Sequence, residues 1–96
     1  MYGLVKTGQF KKDVKKCKKR NYNLSNLLTA LQVLEETGTL PFTPYKTHFL
    51  ENKKIWDGHI EPDWVLLWQI RESDSNEFDG LVVLVSTGTH SDLFGK

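Results

Sequence analysis

Three histidines, His48, His59 and His90, are the groups of this 96-residue chain best suited to move protons near neutral pH. Asp63 follows His59 by four positions, across Pro62, and adds a carboxylate to the set. An imidazole serves as acid or base and a carboxylate can do either, so these four groups have the residue types of acid–base catalysis. Whether His59 and Asp63 meet depends on the turn at Pro62, which spacing alone does not fix. Zinc is the rival reading, since three histidines and a carboxylate can ligate it. With no His-x-x-x-His pair, and Cys17 as the single cysteine, the preferred reading has no metal and no cofactor.

The stretch Thr87-Gly88-Thr89-His90-Ser91-Asp92-Leu93-Phe94 adds a second group of candidates. Gly88 permits a sharp departure from a strand, and the hydroxyls of Thr87, Thr89 and Ser91 can bond backbone or phosphate. Phe94 has two readings: it closes the core, or it offers a ring on which an unstacked base rests.

These residues need elements to position them. Residues 2–7 predict a short strand with Tyr2, Leu4 and Lys6 on one face. From Phe10 to Arg20, the spacing of Phe10, Val14 and Cys17 predicts an amphipathic helix whose basic end complements the helix dipole. Asn21-Tyr22-Asn23 breaks it. Leu24, Leu27, Leu28, Leu31 and Leu34 then form the stripe of a second helix, stopped by Gly38, and the two predict an antiparallel hairpin. Pro41 and Pro44 keep residues 39–45 extended or turned. Beyond Lys54 the chain predicts three strands: one with His59 and Glu61 on one side and Ile60 on the other, one over residues 64–70, and one over residues 81–85. The last two are apolar on both faces, and the polar connector 72–77 makes them antiparallel neighbours. The expectation is a single domain over residues 1–96, with a helical hairpin packed on one face of a sheet and the other face left free to work.

Charge narrows the partners. The net charge is +1, but residues 1–20 hold eight basic groups against Asp13 alone, a balance of +7, and the other 76 residues hold five basic and eleven acidic groups, a balance of −6. A local field of this kind attracts polyanions whatever the total charge. Lys11, Lys12, Lys15, Lys16, Lys18 and Lys19 are thus candidates for binding a polyanion, against the plainer reading of a solvated helix face. No apolar run reaches the roughly 20 residues of a spanning helix, and no secretory signal is evident, so the expected address is cytoplasmic with no membrane partner. The lone Cys17, on the apolar stripe, suits a reduced compartment and a packing role.

The segments Tyr45-Lys46-Thr47-His48-Phe49-Leu50, Gly58-His59-Ile60-Glu61-Pro62-Asp63-Trp64 and Thr87 to Phe94 resemble the three signature stretches of YafQ-type toxins, in the RelE/ParE superfamily of bacterial toxin–antitoxin modules. The resemblance covers nearly the whole chain, and every histidine falls within one of the three stretches. It implies a RelE-like α+β fold, with an N-terminal strand and helical hairpin on a twisted, mainly antiparallel sheet. It also implies a ribosome-dependent endoribonuclease that cuts messenger RNA in the A site, and a cognate antitoxin that silences it. Carried over by position, His48, His59, Asp63, His90 and Phe94 fall where the family's functional residues lie. The chemistry expected is attack by the 2′-OH without metal: His90 as general acid, His59 or Asp63 as base, His48 at the phosphate and Phe94 as stacking platform. Many relatives carry an arginine just before the Thr-Gly-Thr/Ser-His stretch. This chain has Ser86, so either catalysis is weaker or Lys46, Lys53 or Lys54 supplies that charge. A ParE-like toxin that inhibits a topoisomerase without cutting nucleic acid is the alternative, disfavoured by the histidine set.

Overall fold

A computed structural model describes residues 1–95. Its elements run β1 (Gly3–Lys6), α1 (Gly8–Lys19), α2 (Leu24–Thr37), α3 (Phe42–Tyr45), β2 (His48–Leu50), β3 (Ile55–Glu61), β4 (Trp64–Arg71), β5 (Leu81–Gly88) and α4 (His90–Phe94). The strands form one sheet in the order β1-β5-β4-β3-β2. β1 lies parallel to β5, with Gly3 opposite Leu81, and the other neighbours are antiparallel. The expected α+β architecture, with a helical hairpin and a mainly antiparallel sheet, is therefore the one observed.

Local signals account for the helices. The Thr7 hydroxyl caps α1 by accepting the Phe10 N–H at 3.1 Å, and it donates to the Leu84 and Val85 carbonyls, which ties the helix start to β5. Asn23 caps α2 through the Ser25 N–H. Gly38 ends α2 with φ +80°, and a Cβ there would lie 2.6 Å from the Tyr2 ring, so glycine is required for both the turn and the close approach. The hairpin buries Phe10, Cys17, Leu27, Ala30, Leu31 and Leu34 against Trp64, Leu66, Trp68, Val82 and Leu84 of the sheet. Cys17 is a free, buried core residue, and burial pushes its thiol pKa up, in keeping with a packing role.

The opposite face is not bare. Ile55, Val65 and Leu67 form a second, smaller cluster, on which Leu50, Val85, Leu93 and Phe94 pack. Sheet alternation puts this cluster on the same face as His59, whose cross-strand partner is Val65. This is the face expected to work.

Three expectations need correction. His48 does not precede the strands; it begins a fourth strand after the hairpin, β2, too short at three residues to show a pattern. No element is expected after Gly88, yet residues 90–94 form α4. His59 and Glu61 do not share a side of β3, because a bulge shifts the register between them. His59 opposes Val65 on the working face, while Glu61 pairs with Trp64 and accepts a hydrogen bond from Asn26 of α2 at 3.1 Å.

Candidate active site

β3, β4, β5 and α4 converge where His59, Asp63 and His90 meet. Asp63 lies in the turn between β3 and β4, and His90 is the first residue of α4. Oδ1 of Asp63 accepts two hydrogen bonds from His90, one from the ring Nδ1 at 2.8 Å and one from the backbone N–H at 3.2 Å. These bonds hold the Asp63 carboxyl below the usual carboxylate range, the ring bond contributing most. An ionised carboxylate only accepts, so Nδ1 of His90 carries a proton and Nε2 is left to face a substrate.

The His59 ring lies beside that of His90, with centroids 5.3 Å apart. Its Nδ1 is 3.3 Å from the Pro62 carbonyl oxygen, which can only accept. Nδ1 of His59 is therefore the donor, and when the ring is neutral its Nε2 holds the free lone pair. The turn at Pro62 thus does join the two stretches, but it delivers Asp63 to His90 and not to His59. The rings differ in one respect: an ionised carboxylate compensates positive charge on His90, whereas His59 has only a carbonyl.

His48 stands one strand away. It opposes Asp57 across β2 and β3, with Nδ1 3.8 Å from the carboxylate, and its ring meets Phe42 edge-on at 6.0 Å. Asp57 occupies the same face as His59, its side chain 14% exposed and its Oδ1 without a hydrogen-bond donor among the described residues. Phe94 is half-buried against Ile55, Val65 and Leu67, which meets the core-closing reading in part, and its ring lies 6.1 Å from that of His90. The Lys53 ammonium sits over this ring, 4.9 Å from its centre.

The remaining basic residues divide by position. Lys46 lines a depression of about 320 Å³ with His59, Pro62 and Pro44, close to the paired rings. Lys54 is 3.8 Å from Glu51 and lines a different depression with Gln69 and Arg71, at the far end of β4. Lys11, Lys12, Lys15, Lys16, Lys18 and Lys19 are all exposed along α1, and Lys16 reaches Asp92 of α4. Ser86 is buried beside Leu67 and brings no charge to the working face. Among the described residues no three of His, Cys, Asp and Glu converge to hold a metal ion.

Of the residues that support the site, Thr87 and Thr89 use the hydroxyls that the sequence marks as able to bond backbone, whereas the sequence assigns no role to Asp92 or Asp13. The Thr87 hydroxyl accepts from Trp64 Nε1 at 2.9 Å and donates to the Val65 carbonyl at 2.7 Å, locking β5 to β4. Thr89 caps α4 and forms a reciprocal box with Asp92. The spacing Thr-x-x-Asp is a helix-start signal in its own right. Nothing local marks Asp13 as the acceptor for the Thr87 N–H, since the two are 74 positions apart.

Comparison with known proteins gives this geometry a context. The family model described as "Bacterial toxin of type II toxin-antitoxin system, YafQ" matches residues 2–95. The chain belongs to the YafQ family. The mRNA interferase toxin YafQ of Escherichia coli strain B / BL21-DE3 is 40% identical over 92 residues, covering 93% of this chain and 91% of that protein. In the crystal structure of the E. coli DinJ–YafQ complex, a chain 35% identical superposes with a TM-score of 0.79, over 99% of this chain and all of that one. A metal-bound toxin from Helicobacter pylori, 28% identical, gives a TM-score of 0.80 over 98% of this chain and all of that one. This chain is accordingly an mRNA interferase of the YafQ family, an endoribonuclease toxin of a type II toxin–antitoxin system.

Proposed function

We propose that this YafQ-family toxin cuts messenger RNA in the ribosomal A site by metal-independent transesterification, with His59 and His90 as the base–acid pair. The observation that carries the reading is the pair of rings 5.3 Å apart with both Nδ1 atoms engaged in hydrogen bonds. Nε2 of His59 takes the proton of the 2′-OH, the 2′-oxygen attacks phosphorus, and Nε2 of His90 protonates the departing 5′-oxygen. Asp63 favours His90 for the acid role, because its carboxylate balances the imidazolium that must be present before transfer. This leaves His59, of the two candidates, as base. His48 supplies charge near the phosphate, joined by Lys46 and Lys53 in place of the arginine that Ser86 replaces. Phe94 stacks on a base beside the cut. The lysines of α1 contact ribosomal RNA, and phosphate contacts of that kind orient a protein without reading sequence. A cognate antitoxin silences the enzyme in the cytoplasm; the E. coli relative was crystallised with its antitoxin DinJ.

The test is product chemistry on a programmed ribosome. The upstream fragment should end in a 2′,3′-cyclic phosphate or its 3′-phosphate, the downstream fragment should begin with a 5′-OH, and a single 2′-deoxynucleotide at the cut should abolish cleavage. A downstream 5′-phosphate, or normal cutting of the deoxy message, would overturn the mechanism. Absence of cutting on any message would favour the ParE-like inhibitor. Metal analysis of the purified protein checks the other half of the reading: stoichiometric metal held by His48, His59 or His90 would end the metal-free assignment.

A further inference from the structure

α1 contributes no group to the proposed chemistry, yet it holds both ends of the segment that carries His90. At the near end, the Asp13 carboxylate accepts the Thr87 N–H at 3.1 Å. At the far end, Arg20, which caps α1, donates to both oxygens of Asp92 at 2.7 and 3.2 Å, and Lys16 adds a hydrogen bond of 3.3 Å. The Asp92 side chain is 19% exposed and lies against Gly88, where a Cβ would come within 2.9 Å of its carboxylate. α4 needs such a fastening, because none of its five residues is buried and a helix that short does not hold its shape alone.

We propose that Arg20 is a positioning residue: through Asp92 it fixes α4, and so sets His90 against His59 and turns the face of Phe94 toward the substrate. The proposal rests on the reading of the two histidines as the catalytic pair. Asp92 lies midway between His90 and Phe94 on one short helix, so a rigid hold on Asp92 is a hold on both. The guanidinium fork grips two carboxylate oxygens and fixes rotation as well as distance, which a lysine ammonium cannot do. Oδ2 of the same carboxylate also accepts the Thr89 N–H at 3.0 Å, so one side chain both caps the helix and anchors it.

The experiment compares Arg20→Gln, Arg20→Lys, Asp92→Asn and the double variant Arg20→Gln/Asp92→Asn. Cleavage of ribosome-bound message gives kcat and KM, and NMR of the free proteins follows the ring signals of each histidine. Arg20→Gln should lower kcat by about tenfold to a hundredfold with little change in KM, the loss expected when a reacting group is displaced by about 1 Å. Arg20→Lys should recover part of that loss, and the double variant should be no worse than the poorer single one, because both remove the same ion pair. The His90 signals should move in Arg20→Gln while those of His48 stay. A kcat within about twofold of the parent, or a loss that tracks thermal stability with His90 signals unmoved, overturns the proposal. If the parent itself cuts no RNA, the nuclease reading fails, and the His90 signals still decide whether Arg20 sets the ring.

Discussion

Asp63 receives the ring and the backbone of one and the same residue, so it fixes both where His90 sits and how its imidazole is turned. A carboxylate whose pKa is lowered by folding stabilises the fold above its unfolded value, and this contribution fades only as pH falls through the lowered value. Asp63 therefore stays ionised throughout the range of about pH 5 to 8 in which histidines titrate. Asp63→Asn keeps the shape but removes the charge that balances the imidazolium. Single-turnover rates across pH should show a loss of at least about tenfold at neutral pH, with the alkaline limb moved to lower pH. An unaltered profile would make Asp63 a structural partner only. The histidines stand out in the sequence by their residue type alone. The role of Asp63 was not legible there, because its partner lies 27 positions away and the nearer candidate, His59, is taken by the Pro62 carbonyl.

Among the elements, the long helices were readable and the short pieces were not. α1 and α2 repeat their apolar spacing over several turns and end at recognisable stops, whereas β2 and α4, three and five residues long, offer no period to read. The bulge at Ile60 was equally hidden, since it is a mismatch between two strands and not a property of one. Gly38 illustrates how much one stop residue holds: Gly38→Ala places a side chain at φ +80° and into the Tyr2 ring. Urea unfolding should show a loss of more than about 1 kcal/mol, since backbone strain and steric overlap act together. A separate prediction concerns the outer face of α1. Replacing Lys11, Lys12, Lys15 and Lys19 with glutamine leaves the Lys16 and Arg20 bonds to α4 in place. It should weaken ribosome association and flatten the slope of log affinity against log salt by roughly 0.7 to 0.9 for each phosphate that is no longer neutralised. Equal affinity of parent and variant across the salt series would show that this face is merely solvated.

For the molecule as a whole, the order of the long elements was inferable because the helical spacing up to residue 34 gives way to strand-like runs beyond Lys54, and the apolar run of residues 64–70 belongs in the middle of a sheet. The parallel pairing of β1 with β5 was not inferable, for no local signal links strands so far apart in sequence. That pairing has a consequence for synthesis. A chain made from its amino end at about 5 to 20 residues per second offers β1 no sheet partner until the ribosome has added the 78 residues from Gly3 to Leu81, an interval of roughly 4 to 16 seconds. The α1–α2 hairpin forms from neighbouring contacts far faster than that. The sheet has to wait, and α4, which follows β5, waits longest. A polypeptide still tethered to the machine that makes it therefore has no docked His90, the acid of the proposed reaction, until residues 90–94 have been made and have packed on the sheet.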